Sequence, residues 1–126
     1  MDGAVTGLLK HGALENNIEV IQVPGSYELV SGADIVLRDN SFDGVICLGC
    51  VIQGETRHFD FICDAVAGGV ANVAIKYNKP VIFGVLTTDN LQQALDRSGG
   101  IHGNKGEEAA ITAIQMALVS QRFPAV

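Results

Sequence analysis

DGVICLGCVI, at residues 43–52, is the stretch that decides the fold of this chain. After its first residue it is almost wholly apolar, as expected for a strand that is covered on both faces of a parallel sheet. Two other segments have strand character. IEVIQV at 18–23 is β-branched and is stopped by Pro24 and Gly25, and PVIFGVL at 80–86 begins with a proline, which the first position of a strand tolerates.

Helical segments alternate with these three strands. The clearest lies at 58–78, where apolar residues recur at alternating spacings of four and three and form one continuous stripe. The other helices are predicted at 3–12, 27–38, 90–97 and 105–121. Strands that alternate with helices pair in parallel through right-handed crossovers. We therefore predict an α/β fold, a three-layer αβα sandwich with a flavodoxin-like parallel sheet.

Capping residues mark the starts of three of these helices. Ser26 is predicted as the N-cap of the helix at 27–38. Asp89 with Gln92 has the spacing of a capping box, and Asn104 with Glu107 has the same spacing before the last helix.

Composition and charge limit the possible partners. The chain has 126 residues, 48% of them apolar, and a formal net charge of −6, which fits one globular domain at 1–126. An acidic domain repels nucleic acid and anionic membranes. We expect no nucleic-acid partner, no segment of membrane-spanning length and no secretory leader, and hence a cytoplasmic protein. An anionic substrate would need a local cationic pocket.

Three cysteines, at 47, 50 and 63, invite a metal or redox interpretation. Cys47 and Cys50 form a C-x-x-C within a strand, where positions three apart point to opposite faces. We therefore expect small buried apolar residues there, with no metal site. The odd count gives no disulfide framework.

Polar residue clusters follow each predicted strand. PGSYE, IQGETRHFD and LTTDN lie at 24–28, 52–60 and 86–90. In open α/β sheets, ligands bind beyond the carboxyl ends of the strands. The sequence therefore predicts a site at this edge of the sheet.

GETRHFD at 54–60 joins a strand to the long helix. Free backbone N–H groups at a helix start attract anions, and the Thr56 hydroxyl can cap the helix or bind phosphate. His58 falls in the first helical turn, where an imidazole at a ligand-facing edge suits general acid–base work. The alternative is that Thr56 is only an N-cap and His58 a solvated residue.

Two cations lie in DRSGGIHGNKG at 96–106. Arg97 can grip a phosphate with two hydrogen bonds, although a cation at a helix end is also favourable by itself. Lys105 begins a helix, where a cation is unfavourable, and this points to an anionic ligand or partner. We interpret His102, in the glycine-rich loop, as a loop residue.

Four motifs together resemble one family. VPGSYEL (23–29), CVIQGETRHFD (50–60), VIFGVLTTDN (81–90) and DRSGGIHGNKGEEAA (96–110) are similar to 6,7-dimethyl-8-ribityllumazine synthase, over residues 1–122. GET-x-HFD with a later GNKG is a specific combination. The resemblance implies condensation of 5-amino-6-(D-ribitylamino)uracil with 3,4-dihydroxy-2-butanone 4-phosphate in riboflavin biosynthesis, without a cofactor.

The resemblance also implies roles at the phosphate end of the site. His58 resembles the family's proton donor. Glu55, Thr56 and Arg97 resemble the groups around the butanone phosphate. Lys105 resembles a further cation of the substrate site.

Further residues resemble the family's aminouracil subsite. Ser26, Tyr27 and Glu28 resemble the segment that holds the ribityl-aminouracil, and Cys50, Val51 and Ile52 resemble its pyrimidine edge. Phe83 resembles an aromatic offered to the neighbouring subunit's site, although its position in an apolar strand also fits a core residue. The implied assembly is a homo-oligomer, a pentamer or a multiple of it such as a decamer or a sixty-subunit capsid.

The chain also departs from the family. Cys50 and Gln53 stand where the family often has Ala and Arg. The family has a further first strand, in the sheet interior between those at 18–23 and 43–52, and a loop with an aromatic that stacks on the pyrimidine. We therefore expect this chain to be an N-terminally truncated part of a longer protein.

Two other functions fit the same residues. One is riboflavin synthase of the archaeal type, which shares the fold and would dismutate lumazine. The other is a non-catalytic shell or ligand-binding homologue.

Overall fold

The computed structural model describes residues 1–53, 58–100 and 103–124. Its helices are α1 (Asp2–Lys10), α2 (Leu29–Leu37), α3 (His58–Tyr77), α4 (Leu91–Asp96) and α5 (Lys105–Arg122). Its strands are β1 (Val45–Ile52), β2 (Val81–Thr88), β3 (Ser98–Gly100) and β4 (Gly103–Asn104). Two 3-10 turns, Glu15–Asn17 and Ser26–Glu28, lie between α1 and α2.

The two long strands form a parallel sheet. β1 and β2 pair from Val45 with Val81 through to Ile52 with Thr88, and α3 makes the crossover between them. α2 and α3 pack on one face, whereas α5 packs on the other face and carries α1 on its outer side. A parallel sheet flanked by helices confirms the predicted α/β class.

The main core lies between β1 and the pair α2–α3. Val66, Val70 and Val73 of α3 are buried there with Cys47 of β1 and Leu37 of α2. Fully burying a valine or leucine side chain contributes about 1.5–3 kcal/mol. The predicted apolar stripe of α3 therefore fixes the helix against the sheet.

Small residues let α1 and α5 approach each other on the opposite side. Gly7 of α1 lies against Ala110 of α5, and a Cβ added at Gly7 would come within 2.9 Å of the Ala110 Cβ. Ala4 of α1 is also buried, whereas the buried Ala109 of α5 lies towards the sheet, 3.3 Å from a Cβ built on Gly84 of β2. This close contact holds α5 against α1.

The prediction of a strand at 18–23 is wrong for the structure described. Ile18 is extended, with φ of −111°, but residues 18–23 form no regular element and enter no ladder with β1 or β2. Val20 and Ile21 are exposed there, at 53% and 58%. The β-branched pattern predicts an extended backbone, but a strand also needs a hydrogen-bonding neighbour, and none lies beside this segment among the described residues.

Two predicted helix caps are also corrected. Ser26 does not cap a helix, since it lies in a 3-10 turn and α2 starts later, at Leu29. The cap of α4 is Asn90, one residue after the predicted Asp89, and its Oδ1 accepts a hydrogen bond from Gln93 N at 2.9 Å. The predicted Asn104 cap of α5 is confirmed, because Asn104 Oδ1 accepts from Glu107 N at 3.1 Å.

By length and composition α3 could cross a membrane, contrary to the expectation that no segment is long and apolar enough. The pattern arises because its apolar residues occupy two sides of the helix. Val66, Val70 and Val73 face the core, whereas Phe61 and Ile75 are exposed. The buried side of α3 packs as the core helix of a folded domain does.

Candidate active site

A cleft of about 490 Å³ opens where the turn Ser26–Glu28 meets the start of α3. Its lining residues are Gly25, Ser26, Tyr27, Glu28, His58, Phe61 and Ile62. The structure therefore brings His58 together with all three residues predicted for the aminouracil segment. Tyr27, Glu28 and His58 are exposed.

The local backbone explains how the turn enters this cleft. Gly25 is extended, with φ of −165°, and its carbonyl oxygen accepts a hydrogen bond from Glu28 N at 3.1 Å. This closes a single 3-10 turn, so that Ser26, Tyr27 and Glu28 leave the backbone in three directions. α2 begins immediately afterwards and is anchored by its buried Ala33 and Leu37.

The end of β1 lies beside the turn. Cys50 and Ile52 are exposed, whereas Val51 is half-buried and packs against the main core. Alternation along the strand therefore puts Val51 on the side of the α2–α3 layer and its two neighbours on the other side. The three residues predicted for the pyrimidine edge thus present two faces of one strand end.

The cysteines of β1 differ from each other in burial. Cys47 is buried, as predicted, but Cys50 is exposed, which corrects the expectation that both are buried. Burial raises the pKa of the Cys47 thiol to about 11 and also raises the pKa of Cys50. Both thiols therefore stay protonated at neutral pH, unsuited to the nucleophilic thiolate form.

A second cleft, of about 370 Å³, follows the end of β2. It is lined by Thr87, Asp89, Gln93, Asp96 and Arg97. Arg97 is exposed just after the last residue of α4, and two carboxylates share its cleft. This cleft has no lining residue in common with the cleft of His58.

A short hairpin brings the two predicted cations together. β3 and β4 pair in antiparallel orientation, and Lys105 N donates a hydrogen bond to the Arg97 carbonyl oxygen at 2.7 Å. Lys105 is half-buried at the start of α5. Arg97 and Lys105 therefore leave the backbone side by side, although seven residues separate them in sequence.

Phe83 lies in the middle of β2, opposite Cys47. It is half-buried and packs against the main core. Glu55, Thr56 and His102 lie outside the described residues.

Comparison with known proteins fits this arrangement. The family model for 6,7-dimethyl-8-ribityllumazine synthase matches residues 1–121. The chain belongs to the 6,7-dimethyl-8-ribityllumazine synthase family.

Relatives with the name 6,7-dimethyl-8-ribityllumazine synthase match most of the chain. The protein from Cytophaga hutchinsonii is 64% identical over 115 residues, which cover 91% of this chain and 72% of the relative. The protein from Bacteroides fragilis is 52% identical over 116 residues, which cover 92% of this chain and 81% of the relative. The protein from Parabacteroides distasonis is 50% identical over 116 residues, which cover 92% of this chain and 72% of the relative.

The structure adds cleft residues to those predicted for a lumazine synthase. Phe61 and Ile62 line the cleft three and four positions after His58. Helical periodicity gives the signal that could have found them, because residues three and four apart share a face. Gln93 lies four positions before Arg97 and lines the second cleft for the same reason, whereas Asp96 directly precedes Arg97 at the end of α4.

Proposed function

We propose that this chain is a transferase that condenses 5-amino-6-(D-ribitylamino)uracil with 3,4-dihydroxy-2-butanone 4-phosphate. The products are 6,7-dimethyl-8-ribityllumazine, inorganic phosphate and water, in riboflavin biosynthesis. The observation that carries this proposal is the cleft that joins His58 to Ser26, Tyr27 and Glu28 in a chain of the lumazine synthase family. Riboflavin synthase of the archaeal type and a non-catalytic homologue are not favoured, because the relatives have the synthase name.

The reaction needs binding and proton transfer more than covalent catalysis. The 5-amino group attacks the ketone and forms an imine with loss of one water. The imine tautomerises to an enol, phosphate leaves from the neighbouring carbon, and ring closure onto the ribitylamino nitrogen expels a second water. Holding two substrates in one orientation supplies much of the acceleration in such a reaction.

We assign the aminouracil to the cleft of the turn Ser26–Glu28. Its walls supply the Ser26 hydroxyl, the Tyr27 phenol and the Glu28 carboxylate, with apolar surface from Phe61 and Ile62. A polar, planar heterocycle with a polyol chain suits such a mixture of hydrogen-bonding groups and aromatic surface. His58, in the first turn of α3, moves protons between the substrate amine and the departing hydroxyl groups.

We assign the butanone phosphate to Arg97 and Lys105. The formal charge of the chain is −6, so a phosphate ester needs a local pair of cations. Asp89 and Asp96 share the cleft of Arg97 and oppose an anion there. The neighbouring Lys105 offsets that repulsion, because two cations act on one ligand.

We propose that the complete site lies between two copies of the chain. The clefts of His58 and Arg97 have no common lining residue, whereas the reaction needs both groups at one pair of substrates. Phe61 and Ile75 also expose large apolar surfaces on α3, at 69% and 73%, and such patches mark contact surfaces. A closed homo-oligomer, a pentamer or a multiple of it, would bring Arg97, Lys105 and Phe83 of one copy to His58 of the next.

The cysteines support the proposed compartment. All three are free, and unpaired thiols suit the reducing cytoplasm. We therefore place the enzyme there.

A direct assay tests the proposed activity. The full chain is mixed with both substrates, and the lumazine is followed by its fluorescence and confirmed by mass. Omitting either substrate is the control. Adding lumazine alone and measuring riboflavin tests the archaeal-type alternative, and tight binding of substrates without product would support a non-catalytic homologue instead.

A further inference from the structure

Gly49 lies on β1 directly beneath the turn that carries Ser26. A Cβ built on Gly49 would come within 2.8 Å of Ser26 Oγ and 3.2 Å of Leu29 Cδ1. Non-bonded carbon and oxygen atoms do not approach so closely without displacement. The missing side chain of Gly49 therefore leaves the space that the Ser26 hydroxyl occupies.

Gly49 lies on the α2–α3 side of the strand. Cys47, two residues before it, is buried in the main core, and Val51, two residues after it, packs against that core. Since side chains alternate along a strand, Gly49 points to the same side. The turn Ser26–Glu28 rests there, at the floor of the cleft that also contains His58.

The Ser26 hydroxyl is available at this position. Ser26 lines the cleft and is half-buried. Within the part of the chain that the structure describes, its Oγ takes part in none of the protein hydrogen bonds. A half-buried hydroxyl of this kind offers both a donor and an acceptor to a ligand.

We propose that Gly49 is a positioning residue for substrate binding, because its open space fixes where the Ser26 hydroxyl meets the aminouracil. The inference rests on the proposed function. Gly49→Ala would change the site in one of two ways. Either the Ser26 side chain rotates away from β1, or the whole turn lifts from the strand, and both move the hydroxyl relative to His58. A misplacement of about 1 Å can lower catalysis about 10²-fold.

The test compares Gly49→Ala with Gly44→Ala. Gly44 precedes the same strand at its other end, and a Cβ there would lie 2.9 Å from the Pro80 carbonyl oxygen. Both substitutions crowd a glycine, but only one lies under Ser26. We expect Gly49→Ala to raise the KM for the aminouracil about tenfold and the KM for the butanone phosphate less than about twofold. Gly44→Ala lowers the melting temperature and leaves both KM values near those of the wild type.

A double-mutant cycle with Ser26→Ala separates positioning from general damage. Without Oγ the nearest remaining atoms are Leu29 Cδ1, at the flexible end of its side chain, and Ser26 Cβ at 3.7 Å. Gly49→Ala should then change the aminouracil KM less than about twofold in the Ser26→Ala background. An equal effect in both backgrounds, or a wild-type KM in Gly49→Ala itself, overturns the proposal.

A crystal structure of unliganded Gly49→Ala keeps this result separate from the proposed activity. Displacement of Ser26 Oγ in Gly49→Ala, combined with a wild-type protein that makes no lumazine, would support the positioning role of Gly49 and refute the proposed function. An unmoved Ser26 in a fully active variant would refute the positioning and leave the function intact.

Discussion

The backbone N–H of Lys105 donates a hydrogen bond to the carbonyl oxygen of Arg97 over 2.7 Å. This bond closes the hairpin between α4 and α5 and holds the backbones of two cationic residues next to each other. Neither helix end alone would form an anion site, because Arg97 shares its cleft with Asp89 and Asp96. The paired cations are therefore the unit on which phosphate binding should depend.

Arg97→Lys should raise the KM for the butanone phosphate about tenfold and change the aminouracil KM much less. Lysine keeps the charge but replaces a planar fork by a single point donor, which removes bidentate phosphate binding. Steady-state kinetics with each substrate varied in turn measures both values. Arg122→Lys, at the end of α5 beside Phe123, is the matched control, and equal effects on the two substrates would reject the assignment.

His58→Ala should lower kcat about 10²-fold, the usual contribution of one general acid–base group. Substrate affinity should change less, because Ser26, Tyr27 and Glu28 still line the cleft. Single-turnover kinetics across neutral pH separates the two effects. His11→Ala removes an exposed imidazole at the end of α1 and should leave turnover unchanged. A His58→Ala enzyme with wild-type kcat at every pH would end the proton-transfer role.

Co-assembly of two inactive variants tests the site between copies. If His58 and Arg97 act from neighbouring chains, equal mixing of His58→Ala with Arg97→Ala regenerates about a quarter of the sites in a closed ring. If both residues act from one chain, the mixture stays as inactive as its components. Unmixed variants treated in the same way are the control. An active monomer by sedimentation would contradict the oligomer outright.

Asp34→Asn should lower stability over a defined pH range. Asp34 of α2 accepts hydrogen bonds from Lys76 Nζ at 2.8 Å and from Arg38 at 3.1 Å. The bond from Lys76, against some desolvation, holds the pKa of Asp34 below its ordinary value of 3.8. The same contact raises the pKa of Lys76 above 10.5.

The sign of each pKa shift fixes that range. A lowered carboxyl pKa stabilises the fold above pH 3.8 and stops doing so as the pH falls through the folded-state pKa. A raised lysine pKa stabilises it below pH 10.5 and stops doing so as the pH rises through the folded-state pKa. Melting curves of the wild type and of Asp34→Asn should therefore differ between these limits and converge in acid. Asp64→Asn, which removes an exposed carboxylate of α3, is the control. A difference that persists unchanged in strong acid would show that the ion pair is not its cause.

The sequence predicts the elements whose signal is local. β1, β2 and α3 agree with their predicted ranges to within a few residues, because an apolar run or a stripe of period 3.6 is written in the residues of the element itself. The prediction of a strand at 18–23 was wrong because a strand forms only where a neighbouring strand pairs with it. The β3–β4 hairpin was missed because two short strands in a glycine-rich loop leave no alternating pattern.

The residues of the site could be predicted from the sequence, but their exact local structure and the separation of the two clefts could not. His58, Ser26, Tyr27 and Glu28 were placed at strand exits, and the structure brings them into one cleft. Sequence alone could not assign Ser26 to the 3-10 turn, since the same residue type also caps helices. It also gave no sign that the clefts of His58 and Arg97 are separate, because that depends on how helices pack.

The chain has no tryptophan and two tyrosines, which makes its ultraviolet emission a two-site reporter. Tyr27 is 62% exposed at the mouth of the cleft, whereas the Tyr77 hydroxyl donates to Asp34 at 3.2 Å. A ligand in the cleft should therefore alter the emission of Tyr27, and separation of α2 from α3 should alter that of Tyr77. With Tyr27→Phe to assign the two components, optical titration and unfolding could follow the cleft and the helix contact in the same cuvette without an added label.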